Sequence, residues 1–470
     1  MSAFVARLSS RIQQTSWSIA FPRVGQWHRC GAAAFATAVE DSFQDQCKKP
    51  SQQINGGSVP QRAGTIDASR FIPQVMGLHA FNAKRRRRVL ILCTGGTLTM
   101  QRNSVCGGLA PVEGAFERWV TADIEEFDHP GMPEIVVHEY KPLMDSSDMG
   151  PQDWQRLAFD ISDNYLHFDG FVVVMGTDTM AYAASALSFM LENLAKPVIF
   201  TGSQIPFCEP YNDARRNVVM ASIFASRDTI CEVAIFFNDR LLRGCRATKI
   251  NTHKLNAFDS PNLAPLAQIG ITIEENSHIC LPQCAGALRV HGNMETRLLV
   301  VRLVPGFDDS VLLHAIQAQS GLRALVLELY GTGNIPSSKK SFLDALAAAS
   351  ERGILVVAVT QCPTGSVLLG KYAVGRELKA IGVVSGGDMT LEATSAKLAY
   401  LFGRGDLTAE DIGKVLTVPL RGEITPREAY DKETLKTFLP RDEIQAALEL
   451  AKNRRRKAYH PTLASASPML

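Results

Sequence analysis

The sequence has no apolar run long enough to cross a membrane and no strong excess of either charge. Its longest uninterrupted apolar runs have the length of a β-strand, far below the roughly 20 residues that a transmembrane helix needs. Lysine and arginine total 49 and aspartate and glutamate total 47, which gives a net charge of +2 over 470 residues. These features predict neither a membrane-spanning protein nor one whose overall charge attracts nucleic acid.

The ten cysteines are irregularly spaced and form no pattern typical of a disulfide-stapled protein. Cys93 and Cys231 lie in or beside apolar, strand-like segments, where cysteine is usually a small core residue. Cys280, Cys284 and the nearby His278 suggest a zinc site, but no second ligand pair follows at the spacing of a zinc finger. We therefore expect neither a disulfide framework nor a bound metal.

The two ends of the chain differ in composition from a folded domain. Residues 1–39 contain four arginines and five serines but no acidic residue, which is typical of an organellar transit peptide. The alternative is an extension that carries no address. Residues 40–80 are rich in Gln, Ser, Gly and Pro, as linkers are. We expect residues 1–84 to form a disordered extension and residues 441–470 to form a tail.

Basic runs lie at both borders of the region between these ends, at Lys84–Arg88 and Lys452–Lys457. Such runs bind nucleic acid in some proteins, but more commonly they are solvated faces of a helix or strand. We expect the second role here. Lys84–Arg88 would then protect the edge of the first strand or aid solubility.

The segment Val89–Met100, VLILCTGGTLTM, combines a strand-like run with a glycine turn. Gly95 and Gly96 lack Cβ atoms, so the backbone can bend sharply and approach a ligand closely. Thr94 and Thr97 would lie at the C-terminal end of a buried strand, beside main-chain N–H groups. A hydroxyl and amide donors in one turn can serve as a nucleophile and an oxyanion stabiliser. A Gly-rich hairpin and a phosphate loop are the alternatives.

The segment Phe171–Met180, FVVVMGTDTM, repeats this design with Thr177, Asp178 and Thr179 after a buried strand. These residues could cap the helix that follows, but a cap needs only one of them. Two further polar turns lie at 144–149 and 199–206. Because ligands bind at the carboxyl ends of strands in open α/β sheets, these turns together predict a site for a small polar substrate.

The order of apolar and helical segments predicts an α/β fold. Strand-like runs lie at 89–93, 135–139, 171–175, 197–201 and 233–237, and helical periodicity at 151–166, 179–194 and 212–226. A second series has strands at 298–304, 323–329 and 354–359, and helices at 309–319, 339–351 and 390–403. This alternation predicts a parallel sheet with crossover helices in each series. We place the first domain at 85–276, a connection at 277–296 and a smaller second domain at 297–440.

An ordered series of motifs resembles the type I L-asparaginases, the bacterial-cytosolic and eukaryotic kind. It comprises TGGT at 94–97, HEYKPLMDSSDM at 138–149, GTDTMAYAASALSFMLENLAKPVIFTGSQIP at 176–206, ATK at 247–249, AFDSPNLAPL at 257–266, YGTGN at 330–334 and GGDMTLEA at 386–393. The similarity extends over roughly residues 85–430 without large gaps, which makes it far more specific than any single motif. It implies a two-domain α/β fold, with a larger N-terminal domain whose sheet is mainly parallel and a smaller C-terminal α/β domain.

The resemblance also implies an activity, the hydrolysis of L-asparagine to L-aspartate and ammonia without metal or cofactor. In this family the nucleophile maps to Thr97, and the set that supports it maps to Thr177, Asp178 and Lys249. The substrate-binding residues map to Gly96, Ser146, Ser147, Thr177, Asp178 and Asn334. The residue types agree with these roles, because an Asp178–Lys249 ion pair would order a proton relay through Thr177.

The resemblance implies an oligomer as well, a homodimer or a homotetramer in which Asn334 reaches a neighbouring subunit's site. A turn residue in a Gly-rich loop is the alternative interpretation of Asn334. We expect a cytoplasmic location, with a mitochondrial one through residues 1–39 as the alternative.

Two departures from the family pattern bear on the loop after the nucleophile and on regulation. Many members carry a tyrosine in the loop after the nucleophile, but Gln101–Val112 contains none, and its Cys-Gly-Gly at 106–108 predicts a flexible lid with another closing contact. Bacterial cytosolic members bind regulatory asparagine through an arginine two residues before YGxGN, where this chain has Glu328. A carboxylate cannot receive the effector's carboxylate, which argues against that form of regulation.

Two other functions compete with asparagine hydrolysis. An ammonia-releasing subunit of a tRNA-dependent amidotransferase would carry an added barrel-like N-terminal domain, but residues 1–84 lack strand alternation. A binding protein that keeps the fold without activity would be signalled by loss of Thr97, Asp178 or Lys249, and all three are present.

Overall fold

The computed structural model describes residues 85–102, 108–318, 321–336 and 339–426. Its strands are β1 Arg88–Cys93, β2 Met100–Arg102, β3 Leu109–Pro111, β4 Glu134–Glu139, β5 Gly170–Val174, β6 Leu191–Glu192, β7 Val198–Thr201, β8 Val233–Phe237, β9 Arg240–Arg243, β10 Thr248–Lys249, β11 Phe258–Asp259, β12 Ala267–Ile269, β13 Ile273–Glu275, β14 Arg289–Val290, β15 Leu298–Arg302, β16 Ala324–Leu329, β17 Leu355–Thr360 and β18 Val384–Ser385. The predicted extension 1–84 and tail 441–470 lie outside the described residues.

Along the sequence, most of the α-helices lie between two strands of a parallel sheet. They are α1 Ala115–Arg118, α2 Pro151–Asp163, α3 Met180–Met190, α4 Ala214–Ala225, α5 Asp309–Ala318, α6 Lys340–Glu351, α7 Ala373–Ala380, α8 Leu391–Arg404 and α9 Ala409–Leu416. Short 3-10 turns lie at Thr97–Thr99, Glu125–Asp128 and Gly244–Arg246, and a π-helical turn at Trp119–Asp123. Within the described ranges, no helix is long and apolar enough to cross a membrane.

The first sheet has eight strands in the order β13-β12-β9-β8-β7-β5-β1-β4. Strands β4, β1, β5, β7 and β8 are parallel neighbours, which confirms the mainly parallel N-terminal sheet. The other edge is an antiparallel meander that the sequence analysis did not predict. It begins at a two-residue turn in which Asn238 and Asp239 both have positive φ, of 46° and 63°. Such turns suit the right-handed twist of a β-hairpin.

The second sheet is smaller and wholly parallel, in the order β15-β16-β17-β18. Helices α3 and α8 join the two series through a shared apolar core, in which the rings of Phe189 and Tyr400 stack with centroids 5.9 Å apart. The Tyr400 hydroxyl also donates to Glu192, at 2.8 Å. The predicted α/β fold with a larger and a smaller sheet is confirmed, whereas the exact domain boundaries remain predictions.

The segment that leads to Lys249 is bound to residues on either side of α8 and α9. Arg246 is buried, with Nη1 lying 3.0 Å from a carboxylate oxygen of Asp388 and Nε donating to the carbonyl of Gly422 at 2.7 Å. Lys397 and Glu423 form a fully buried ion pair close by, with 2.5 Å between Nζ and Oε1. Burial alone would raise the pKa of Glu423, but the facing Lys397 ammonium lowers it overall. These contacts hold the chain around Arg246 from several sides.

The arginines of the basic run before β1 are largely exposed, but they are hydrogen-bonded to the folded region. Arg86 donates to the carbonyls of Met132, at 2.7 Å, and Phe127, at 2.8 Å. Arg85 pairs with Asp169 at 2.8 Å, and that carboxylate also accepts from the main-chain N–H of Arg88, at 2.7 Å. The run therefore fastens the start of β1 to the loops around it.

These contacts predict where the N-terminal extension can be removed. A chain that begins at residue 81 should keep the activity and the melting temperature of the full chain. A chain that begins at residue 89 should lose about 2–4 kcal/mol of unfolding free energy, because several charge-assisted hydrogen bonds are absent. Thermal melts of the two shortened chains beside the full one measure this. Equal melting of all three would contradict the anchoring role of residues 85–88.

Candidate active site

The turns that follow β1 and β5 touch through two glycines. Gly96 has φ 89° and ψ −175°, a conformation that is essentially restricted to glycine. A Cβ on Gly96 would overlap the main chain of Gly176, so the two backbones approach as closely as they can. Because Thr97 and Thr177 directly follow these glycines, the contact brings the two threonine turns together at the carboxyl edge of the sheet.

The structure separates the roles of the two threonines in the TGGT turn. Thr94 is fully buried, and both its N–H and its hydroxyl donate to the carbonyl of Val174, at 2.8 and 3.2 Å. Its own carbonyl accepts from the N–H of Met144, at 2.7 Å. Thr94 therefore ties β1 to its neighbours and offers no free hydroxyl, whereas the side chain of Thr97 remains partly exposed.

Thr177, Asp178 and Lys249 form one hydrogen-bonded cluster. The Lys249 ammonium donates to the Thr177 hydroxyl at 2.8 Å and to Oδ1 of Asp178 at 2.5 Å. The Asp178 side chain is 68% exposed and that of Lys249 is 16% exposed. The carboxylate is thus open to a ligand, while the lysine is directed inward at the buried threonine. A hydroxyl in contact with a lysine can pass a proton between that lysine and a substrate.

The polar residues after β5 do not serve as a helix cap. Thr179 is the N-cap residue of α3, yet no side-chain cap hydrogen bond is formed there. Its hydroxyl instead donates to the carbonyl of Ser146, at 2.5 Å. This bond joins the turn after β5 to the turn that contains both predicted substrate-binding serines.

The two predicted serines have different surroundings. Ser146 is buried and its side chain lies against Gly176, where a Cβ would collide with its hydroxyl. Ser147 is exposed, and both its N–H and its hydroxyl donate to Asp145 at 2.9 Å. Ser146 is therefore part of the same close-packed set of turns, while Ser147 lies at its exposed rim. Their role in substrate binding remains a prediction.

Asn334 lies apart from this cluster, at the end of the second sheet. It forms a tight turn with Tyr330, in which each residue's N–H donates to the other's carbonyl, at 2.8 and 3.1 Å. Its side chain is exposed, and among the described residues no hydrogen bond links it to Lys249, Thr177 or Asp178. The turn-residue interpretation explains its backbone, and a contact to another subunit remains a prediction.

Gln204 is a site residue that the sequence analysis did not single out. The Thr177 hydroxyl lies 3.4 Å from its Oε1, and its Nε2 donates to the carbonyl of Lys254. The carboxylate of Asp213 accepts from the N–H groups of Gln204 and Ile205, which fixes this turn. The polar turn at 199–206 is the sequence feature that indicates a ligand site here, but it does not indicate a role for Gln204.

The predicted lid is only partly described, because residues 103–107 lie outside the described ranges. Its two ends form the antiparallel hairpin β2–β3. Arg102 pairs with Glu209 at 3.1 Å, and the thiol of Cys208 donates to the carbonyl of Met100 at 3.4 Å. The base of the segment is therefore attached to the chain that follows Gln204. The flexibility of the lid remains a prediction.

Two family models match the chain in the order that the motifs predict. Residues 88–280 match "Asparaginase, N-terminal", and residues 297–416 match "Glutaminase/Asparaginase C-terminal domain". The L-asparaginase 1 of Escherichia coli is 47% identical over 342 residues, which are 73% of this chain and 99% of that protein. The chain belongs to the asparaginase family. The resemblance to type I L-asparaginases is thereby confirmed.

A solved structure and other relatives of this asparaginase-family chain extend the comparison. The crystal structure of L-asparaginase I from Vibrio cholerae matches with a TM-score of 0.67 and 42% identity, and covers 73% of this chain and all of that one. A human 60 kDa lysophospholipase is 41% identical over 74% of this chain and 63% of its own length. Glutamyl-tRNA(Gln) amidotransferase subunits D are more distant, at 30–31% identity.

Proposed function

We propose that this chain is an L-asparagine amidohydrolase that uses Thr97 as its nucleophile. The observation that carries the proposal is the Lys249 ammonium in contact with both Thr177 and Asp178, directly beside the close-packed TGGT turn. Hydrolysis of a side-chain amide requires a nucleophile, a path for its proton and groups that hold the substrate. The cluster offers a candidate for each requirement.

In the first half-reaction the Thr97 oxygen attacks the amide carbon of L-asparagine. As the Thr97 proton passes to the Thr177 oxygen, Thr177 delivers its own hydroxyl proton to the departing nitrogen, while the Lys249 ammonium holds Thr177 in place, so that the C–N bond breaks and ammonia is released. This leaves an aspartyl ester on Thr97. In the second half-reaction water attacks the ester carbonyl, L-aspartate leaves and Thr97 regains its proton. These steps use only protein side chains and water.

Asp178 has a second role in this scheme, as a binding group for the substrate's ammonium. Its exposed carboxylate is held by Lys249 on one side and open on the other. Gly96, Ser146 and Ser147 would contribute to the substrate's remaining contacts, because their turns meet at Gly176. L-Glutamine should react more slowly, since one added methylene displaces its amide carbon from Thr97.

An ammonia-release assay with the purified chain tests this function. The expected result is release of ammonia and L-aspartate from L-asparagine at the same rate with and without tRNA, and slower release from L-glutamine. Ammonia release that requires charged tRNA and a partner enzyme would favour the amidotransferase alternative. No hydrolysis under either condition would favour the binding-protein alternative.

We propose that the chain assembles as a homodimer or homotetramer in which Asn334 contributes to a neighbouring subunit's site. The exposed position of Asn334 at the end of the second sheet is compatible with this role. The expected result is a light-scattering mass of two or four chains, and a rise in KM for L-asparagine in Asn334→Ala. A fully active, monodisperse monomer would contradict the proposal.

We further propose that the chain acts in the cytoplasm, with import into mitochondria through residues 1–39 as the alternative. The absence of acidic residues from that segment is the argument for the alternative. Microscopy of the full chain with a C-terminal fluorescent tag distinguishes the two locations.

A further inference from the structure

The residue next to Lys249 is held by a helix of the second series. The Thr248 hydroxyl donates to Oε1 of Glu392 at 2.7 Å. Glu392 lies in the first turn of α8, which begins after Thr390, whose side chain accepts from the N–H of Ala393 at 3.1 Å. The position of this carboxyl is therefore set by a capped helix, 144 residues further along the chain from Thr248.

Glu392 accepts this hydrogen bond from a buried position. Glu392 is only 9% exposed, and burial raises its pKa, while the bond from Thr248 acts in the opposite direction. Tyr182 of α3 and Glu328 of β16 lie near enough to interact with it. Burial together with these two carboxyl groups raises the pKa of Tyr182 to about 12, which marks the region as poorly solvated. Hydrogen bonds are electrostatically stronger in such surroundings than in water.

The strand that carries Lys249 is short, and the chain is held on either side of it: Arg246 is bound to Asp388 and Gly422, and the N–H of Ile250 donates to the carbonyl of Ala257 at 2.8 Å. Strand β10 contains only Thr248 and Lys249, and its pairing with β11 is equally short. Successive side chains of a strand point to opposite faces. A bond that fixes Thr248 on one face therefore fixes the direction in which Lys249 leaves the other face, toward Thr177 and Asp178.

We propose that Glu392 is a positioning residue for Lys249, which it orients through the Thr248 hydroxyl. The proposal rests on the proposed function of Lys249. Helix α8 packs against α3, which begins directly after the Thr177–Asp178–Thr179 turn, so the same pair of helices supports both halves of the cluster. Glu392 thus connects α8, through Thr248, to the strand that carries Lys249.

Substitutions at Thr248 test its hydrogen bond to Glu392. Thr248→Val removes the donor but keeps the branched side chain, and kcat for L-asparagine should fall about 10–100-fold, with a much smaller change in KM, because a displaced lysine slows proton transfer. Thr248→Ser restores the hydroxyl and should recover most of kcat. The matched control is Thr394→Val, because Thr394 is also buried on α8 and its hydroxyl donates only within that helix, to the carbonyl of Thr390.

Substitutions at Glu392 test the same hydrogen bond from its other partner, so their result does not depend on whether Thr248→Val folds correctly. Glu392→Gln keeps an acceptor oxygen and should retain kcat within about threefold, whereas Glu392→Leu should match the loss in Thr248→Val. Combining Glu392→Leu with Thr248→Val should cost little more than either alone, because both remove one interaction. Melting curves of all variants accompany the kinetics.

Three results would overturn the positioning role. They are wild-type kcat in both Thr248→Val and Glu392→Leu, an equal loss in Thr394→Val, and fully additive effects in the double variant. Failure of the proposed function looks different, because the wild-type chain itself would then release no ammonia from L-asparagine.

Discussion

Replacing Thr97 by alanine should reduce the turnover of L-asparagine by about 10³-fold or more while leaving the fold intact. The reason is that no other described hydroxyl in the TGGT turn can replace it: Thr94 is buried and both of its donors are bound to Val174. Loss of a nucleophile from a covalent mechanism removes the low-energy route altogether. Steady-state kinetics together with a thermal melt of the variant measure the two parts of this prediction.

Two control variants sharpen the Thr97 result. Thr97→Ser keeps a hydroxyl and should retain a measurable part of the turnover. Thr94→Val removes the hydroxyl's hydrogen bond to Val174 but keeps the main-chain one, and it should lower the melting temperature, with a smaller effect on turnover than Thr97→Ala. Near-normal turnover in Thr97→Ala would show that another group is the nucleophile.

Replacing Lys249 by methionine should reduce kcat by about 10²–10⁴-fold, the range that general acid–base groups contribute. Methionine keeps most of the side-chain length but removes the ammonium that contacts Thr177 at 2.8 Å and Asp178 at 2.5 Å. Thr177 would then lose the contact that holds it in place to receive the Thr97 proton. KM should also rise, because Asp178 would lose the contact that orients it toward the substrate.

Lys254→Met is the matched control for Lys249→Met. Lys254 is exposed on the loop that follows the same short strand, and only its main-chain carbonyl takes part in the site, as the acceptor from Gln204. Its substitution should leave kcat nearly unchanged. An equal loss in both variants would indicate a general charge effect, and wild-type kcat in Lys249→Met would remove Lys249 from the mechanism.

Local pattern was enough to predict the parallel part of the fold and the two threonine-containing turns that the structure brings together. The buried strands β1 and β5 are apolar runs that end in glycine turns, and both properties are visible in a few consecutive residues. The antiparallel edge was not predicted, because its strands β12 and β13 contain only three residues each and show no clear alternation.

The sequence could not predict which residues contact partners that are distant along the chain. Both Thr94 and Thr97 have the residue type that a nucleophile needs; the family resemblance assigned that role to Thr97, and only the structure shows that the Thr94 hydroxyl is bound to Val174. The contacts of Gln204 with Thr177 and of Glu392 with Thr248 join residues 27 and 144 positions apart. No local propensity encodes such pairs, because they depend on how helices and strands pack.

If the Thr97 oxygen attacks the side-chain amide of L-asparagine, an aspartyl ester forms on Thr97 during each turnover, and it can be trapped. The chain is mixed with L-asparagine and quenched in acid within one turnover, and its peptides are mapped by mass spectrometry. The expected result is an aspartyl ester on the peptide that contains Thr97, and none in the Thr97→Ala variant. An ester on any other residue, or rapid ammonia release from the Thr97→Ala variant, would contradict it.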